Sequence, residues 1–424
     1  MSACIHIVGA GMAGLAAGAR LAASGQRIVL HEMAGHAGGR CRSLFDEVLG
    51  CDIDNGNHLI LSGNHSIAAY LADCGRDTSA FRTAPTACFD FHDLATGGNW
   101  RIDMGLGRLP GWVFDPARRA DGTGAMDYLR GLKLAFAGER TVADLLGRPE
   151  TAFRNFWEPL SVAILNTEPE IAAASLLWPV LRETVGRGGD ACRPMIAREG
   201  LGPALVEPGL SALLEGGGDI RFGTRMKAVR RSADGKRAEA LVFDDGEVLL
   251  GADDGVILAV PSWHIARLLP DARTPDSHRG ITNVHYRLPE PLAKPGEPFL
   301  RGVVGGVAQW VFVRGDHVSV TVSASETYES GDRGDLPERV YREVASALGL
   351  TGMPPVASRV IREKRATFTQ SPAQLKRRNG PETAMSNLIL AGDWTATGLP
   401  ATIEGAVRSG HIAAAKLSSS RGKS

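Results

Sequence analysis

The stretch that most constrains this chain is IHIVGAGMAGLAAGARLAASGQRIVLHE, residues 5–32. Ile5, Ile7 and Val8 make the continuous apolar run of a strand buried on both faces. Gly9, Gly11 and Gly14 follow as GxGxxG, and Met12 to Ala23 is rich in Ala and Leu, a helix pattern. Gly25 ends the helix, Arg27 to Leu30 reads as a second strand, and Glu32 is the acid that belongs about 20 residues past the glycines. Each position has a physical reason. Gly9 permits a tight turn, Gly11 lets backbone approach a pyrophosphate, and Gly14 lets helix and strand pack closely. The helix start at Met12 and Ala13 offers free N–H groups and a partial positive charge to phosphate. Glu32 can hydrogen-bond a ribose hydroxyl pair, where an Arg would favour a 2′-phosphate. The order strand, loop, helix, strand, acid predicts a parallel α/β unit that holds a dinucleotide.

The continuation separates two kinds of dinucleotide. In MAGHAGGRCRS (33–43), Gly38, Gly39 and Arg40 form a second glycine-rich turn ending in a cation. A nicotinamide-binding unit usually runs straight into another helix and strand, whereas a loop of small residues plus Arg suits a second pass over the same pyrophosphate. An ordinary surface loop is the competing reading. In CDIDNGNHLI (51–60), Asn55-Gly56 marks a turn. It is either a plain polar hairpin or a turn that brings Gly56, Asn57 and His58 to a flat ring.

At the other end, LILAGDWTATGLPATIEGAVRSG (388–410) begins as a short buried strand and turns at Gly392-Asp393. Pro400 suits the first turn of a helix, because its missing N–H costs nothing there. Ala401, Thr402, Ile403 and Glu404 continue it, and Gly405, Ala406 and Gly410 leave its surface thin. Such a helix start can stabilise negative charge on a ring held against it. Either the two ends meet on one long cofactor, or the last stretch serves only the core. Residues 220–264 alternate apolar and polar with Asp-Gly turns, a small antiparallel β unit.

The rest of the chain narrows the function by exclusion. With 47 Lys plus Arg against 47 Asp plus Glu among 424 residues, the net charge is zero, which argues against a nucleic-acid binder. Six scattered cysteines form no CxxC pair, so neither a metal site nor a disulfide framework is indicated and a reducing cytoplasm fits. No stretch reaches the roughly 20 apolar residues of a membrane span. The first 19 residues lack the basic segment of a signal peptide.

The glycine loop, the acid, GGR and the C-terminal AGD resemble the FAD-dependent amine oxidase and phytoene desaturase superfamily. FWEPLSVAILNTEPEIAAASLLWPVLRETV (156–185), DIDNGNHLIL and LAGDWTATGLPATIEGAVRSG together resemble the squalene-associated flavoproteins, the hydroxysqualene dehydroxylases of hopanoid synthesis. The resemblance implies an α/β fold, α+β overall. A Rossmann-like FAD-binding domain (1–60, 200–268 and 376–424) would carry an inserted, helix-rich substrate domain (61–199 and 269–375). It implies FAD as cofactor, with Arg40 on pyrophosphate, Asp393 at the ribityl chain or pyrophosphate, and Val229 backbone at adenine. Residues 256–260 would re-enter the FAD sheet, and 280–288 would be a strand of the substrate domain, where Asn283 and His285 alternate with Val284 and Tyr286.

The implied reaction is reductive dehydroxylation of hydroxysqualene to squalene. It needs a proton donor for the leaving oxygen and a dry pocket around the reacting carbon. His58, Asp54, Glu158 and Glu404 are the candidate donors, although Asp54 can instead tie a turn and Glu158 cap a helix. The implied partner is a long apolar isoprenoid, and handover from upstream squalene-pathway enzymes stays open. Trp157, Leu160, Ile164, Leu176, Leu177, Trp178 and Leu181 line an apolar pocket or form ordinary helical core. RLPGWVF (108–114) sets Trp112 and Phe114 near Arg118 and Arg119, either a loop or a peripheral contact at the inner face of the membrane. Two alternatives stay open: a desaturase or oxidase of a polyprenoid or amine, which shares every cofactor motif, and a non-catalytic prenyl-lipid carrier on the same scaffold, which need not keep the flavin-ring contacts.

Overall fold

The computed structural model describes residues 3–328, 335–350 and 352–421. Cys4–Val8 is a strand, Met12–Ala23 a helix and Arg27–His31 a second strand, as the opening pattern predicts. They belong to a five-stranded parallel sheet in the order Asp219–Arg221, Arg27–His31, Cys4–Val8, Gly255–Leu258, Leu388–Leu390. The first and last strands of the chain's cofactor motifs therefore flank one inserted strand. Ile5, Ile7, Ile257 and Leu388 are fully buried, as strands covered on both faces must be.

The helices Met12–Ala23, Glu207–Glu215 and Ile403–Arg421 pack together beside this sheet. Gly410 sets how closely the terminal helix approaches the first: a Cβ there would lie 2.2 Å from the Ala13 carbonyl oxygen. Helix His65–Asp73 shares that core through Ile67, Tyr70 and Leu71, although it lies past the boundary expected at residue 60. Beside the parallel sheet, Met226–Arg231, Ala238–Phe243 and Gly246–Leu249 form the expected small antiparallel unit.

The second unit is built on a seven-stranded sheet in the order Ala357–Phe368, His278–Arg287, His317–Ser323, Trp310–Arg314, Phe299–Val304, Cys88–Asp93, Asn99–Asp103. Alternation sorts its two faces. Val284, Tyr286, Val318, Val320 and Val322 share a core with Val340 and Val344 of helix Leu336–Leu348. Asn283, His285, Ser319 and Thr321 face the other way, and Asn283 and Thr321 reach the 55–57 turn. Short helices fill residues 111–191 around Trp112, Tyr128, Phe156 and Trp157.

Two sequence expectations are revised. The terminal helix begins at Ile403, not at Pro400. Ala401 N–H is drawn aside to Gln370 Oε1 at 2.9 Å, and Thr402 Oγ1 accepts from Gly405 N at 3.1 Å, so Thr402 caps the helix. Trp112 is 1% exposed, in edge-to-face contact with Tyr128 in the core, so it is no surface contact. Phe114, two residues on, is exposed.

Candidate FAD site

The glycine loop is shaped as its sequence requires. Gly9 sits at φ +105°, and a Cβ on Gly14 would fall 1.9 Å from the Gly9 carbonyl oxygen. A Cβ on Gly11 would meet nothing within 4 Å. Gly11 therefore borders open space, while Gly9 and Gly14 cannot carry a side chain. The helix that starts at Met12 has no side-chain cap and no acid in its first turn, so its N-terminal end is left for an anion. Glu32 accepts from Ala10 N at 2.7 Å and Ala34 N at 2.8 Å, which fixes its carboxylate at the loop's edge.

The second glycine turn comes back onto the first. Gly38 N donates to Ala10 O at 2.8 Å, and a Cβ on Gly39 would lie 3.5 Å from Gly11 Cα. Gly38 and Gly39 adopt φ +99° and +56°, the left-handed region that glycine enters freely. Arg40 follows, donating to Ala366 O and, at 2.7 Å, to Asp393 Oδ1. Burial works against its charge, but Asp393 more than offsets this and leaves the guanidinium more basic than usual.

Asp393 lies in a loop held from behind by Arg378, a residue the sequence reading did not single out. The Arg378 guanidinium donates to the carbonyls of Asp393, Trp394, Thr395 and Leu399 and lies over the Phe368 ring. Burial lowers its pKa to about 10, against the raising effect of Asp393. Gln370, also missed, is fully buried and joins the two units. It accepts from Ala401 N on the cofactor side and donates to Leu165 O of the second unit at 2.6 Å.

The 55–58 turn is no hairpin. Asn283, 1% exposed, clamps it: Nδ2 donates to Asn55 O at 3.3 Å, and Oδ1 accepts from Asn57 N and Nδ2 at 3.4 Å and from Thr321 Oγ1 at 3.1 Å. Asn57 also accepts from Ser319 Oγ. The alternation of Asn283 with Val284 was visible in the sequence, but which turn it faces is set by the packing of two distant units. Val229 lies on an edge strand, paired on one side with Leu241.

The four donor candidates do not converge. His58 stands beside the turn, and burial lowers its pKa to about 4, opposed by Asp54 and aided by Arg40, so its imidazole is neutral at pH 7. Asp54 is enclosed by Ser43 Oγ (2.6 Å), Leu201 N (2.8 Å) and Arg314 (3.0 Å). Glu404 accepts from Ser66 N and Ile67 N at the start of helix His65–Asp73, and from Arg408. Glu158 opens helix Glu158–Leu165, about 10 Å along the axis from Leu165, whose carbonyl Gln370 contacts. Desolvation, and then the nearby Glu170, raise the Glu158 carboxyl toward its protonated form against Arg154. Trp157, Leu176, Leu177 and Leu181 are core, while Leu160, Ile164 and Trp178 keep partly exposed flanks.

This geometry fits an extended dinucleotide whose anionic centre meets two glycine turns, a helix start and Arg40. Residues 12–418 match the model of the flavin containing amine oxidoreductases, and the chain belongs to that family. It is a flavin-dependent oxidoreductase, with FAD as its cofactor. The chain is similar to the hydroxysqualene dehydroxylase of Rhodopseudomonas palustris, 43% identical over 98% of both chains. It is also similar to the hydroxysqualene dehydroxylase of Sinorhizobium fredii, 41% identical over 97% of both. Among solved structures, an oxidoreductase from Methanosarcina mazei shares the fold at TM-score 0.70 and 13% identity, covering 96% of this chain and 99% of that one. A putrescine oxidase bound to putrescine does so at TM-score 0.70 and 15% identity, covering 99% of each. Among the described residues, no helix is long and apolar enough to cross a membrane, and no His, Cys, Asp or Glu group is arranged to hold a metal.

Proposed function

We propose that this protein removes the allylic hydroxyl of hydroxysqualene reductively, giving squalene. The observation that supports this most is the 43% identity, over 98% of both chains, to a relative named for that reaction. In the net change a C–O bond breaks, the departing oxygen takes up a proton and leaves as water, and a C–H bond forms at the same carbon. Bound in its reduced form, FAD supplies the hydride.

The chain's own residues hold, orient and exclude. Gly9, Gly11, Gly14, Gly38, Gly39 and Arg40 would hold the pyrophosphate, Glu32 the ribose, and the loop from Asp393 to Ile403 the flavin end. The Asn283 clamp keeps the 55–58 turn, and His58 with it, at a fixed height above the substrate sheet. A neutral His58 can pass its ring N–H proton to the leaving oxygen while its other ring nitrogen takes one up from solvent, so that no lasting charge enters the pocket. Because the allylic cation is delocalised, the departing oxygen needs less acid assistance. The Trp157–Leu181 core keeps water from recapturing the cation.

Product analysis with the protein prepared in both redox states tests the reading. Squalene formed from hydroxysqualene only by the reduced protein supports it. A more unsaturated product formed only by the oxidised protein would replace it with the desaturase or oxidase reading. A colourless, flavin-free preparation that still binds the lipid would favour a carrier.

A further inference from the structure

We propose that the outer face of residues 105–136 docks the protein onto an anionic lipid surface, whatever the substrate. Of the fourteen large apolar side chains that are exposed among the described residues, six lie in this one stretch: Leu106, Leu109, Phe114, Met126, Leu132 and Phe136. Leu109 and Phe136 are 80% and 81% exposed, close to full contact with water. Scattered apolar residues on a surface need no explanation, but a concentration of this kind marks a contact.

Two of the segments that carry these residues share one core. The Trp112 and Tyr128 rings meet edge to face at 4.9 Å, and Ala120 N donates to the Tyr128 hydroxyl at 2.9 Å. The turn Gly111–Phe114 and the helical stretch from Ala125 to Phe136 thus lie side by side over the same aromatic cluster. From Arg130 the helix is of the three-residue-per-turn kind, so Tyr128, Gly131 and Leu134 point inward. Leu129 and Leu132 form a second row and Arg130, Lys133 and Phe136 a third, so cations alternate with apolar groups on the outside.

Charge chooses the occupant. Residues 105–140 hold six Lys or Arg and four Asp or Glu, a surplus of two in a chain whose total is zero. Several of the acids are engaged close to the backbone or in pairs. Asp115 accepts from Ala117 N, Asp127 from Gly124 N, and Glu139 pairs with Lys376 at 2.7 Å. Arg118, Arg119, Arg130 and Arg140 are likewise tied to backbone carbonyls, which leaves Arg108 and Lys133 exposed beside Leu109 and Leu132. A second copy seated symmetrically on this face would bring equivalent cations together. Anionic headgroups above an acyl layer satisfy the cations and the apolar side chains at once.

The test is flotation of the full-chain, FAD-loaded protein with vesicles of phosphatidylcholine, with and without phosphatidylglycerol, at low and high salt. The wild type should float with the anionic vesicles, less at high salt and less with neutral ones. Leu109→Ser/Phe136→Ser and Arg108→Glu/Lys133→Glu should each weaken binding about tenfold or more. Their flavin spectra and melting temperatures should match the wild type, since the changed side chains are exposed; if a pair fails to fold, Lys133→Glu alone is compared. A wild type that stays with the soluble fraction would overturn the proposal. So would variants that float equally well, or a dimer on sizing that both variants dissolve while no vesicle is bound.

Discussion

Arg40 and Asp393 are 353 residues apart in the chain and 2.7 Å apart in the fold. The pair joins the second glycine turn to the loop before the terminal helix. The residues that would hold the pyrophosphate and the flavin end of FAD are therefore set against each other before any cofactor is considered.

Removing one partner of this pair should be felt by the protein itself. The Asp393 side chain is 9% exposed, so Arg40→Ala strands a carboxylate away from water. The expected cost is about 3 kcal/mol in the FAD-free protein. Arg40→Ala/Asp393→Ala should recover part of it, because the stranded charge is gone. Denaturant unfolding of the FAD-free proteins checks both; equal stability of wild type and Arg40→Ala would show that the pair holds nothing.

The glycines of the loop should separate cofactor contact from folding. A Cβ on Gly11 meets no protein atom within 4 Å, so Gly11→Ala should melt like the wild type without FAD yet purify with little flavin. Gly14→Ala forces a Cβ into the Gly9 carbonyl and should lower the stability of the FAD-free protein. Melting temperature and the ratio of flavin to protein absorbance decide. A Gly11→Ala protein that is as yellow as the wild type would place the cofactor elsewhere.

Asn283→Ala should loosen the turn at 55–58 without touching the glycine loop. It leaves the Asn55 carbonyl and the Asn57 N–H short of a partner, a loss of about 1–3 kcal/mol. The shape of the bound flavin's absorbance band and its fluorescence should change as well, which a purely structural loss far from the ring would not cause. Asn283→Asp keeps the acceptor but turns a carboxylate oxygen toward the Asn55 carbonyl in a site that is 1% exposed, so it should cost at least as much as Asn283→Ala.

Acid should weaken the fold before it protonates surface carboxylates. His285 and His317 stack with ring nitrogens 3.0 Å apart. Burial pushes His285 down to about 4, and burial with the neighbouring His285 pushes His317 to about 3. Unfolded, both titrate near 6.5. Between pH 6.5 and about 4 the unfolded chain therefore takes up protons that the folded chain refuses. Stability is full above pH 6.5 and falls through that window, by about 3 kcal/mol for a shift of this size. Urea unfolding at pH steps across the window should show the loss, and His285→Gln should shrink it. A flat stability profile would mean the pair is not buried in solution.

What could be read before folding was what depends on neighbours in the chain. GxGxxG, the following helix and Glu32 form a local unit, and they took the expected shape because glycine placement and apolar runs act within about 30 residues. Pro400 misled by three residues because Gln370, thirty residues upstream, takes the Ala401 N–H and delays the helix. The segment around Trp112 left a loop and a surface contact both open, and only its contact with Tyr128 shows it as core. Arg378, Gln370 and Asn283 carry no motif. Their work is to satisfy backbone groups of remote loops, and no pattern within their own segments records which loop that will be.

The most direct measurement follows the flavin and the lipid together. Protein purified with FAD is reduced with dithionite under anaerobic conditions and mixed with hydroxysqualene while absorbance at the oxidised flavin band is recorded and the lipid extracted. The expected result is reoxidation of the flavin with squalene formed in equal amount. Flavin that stays reduced beside untouched hydroxysqualene would contradict reductive dehydroxylation.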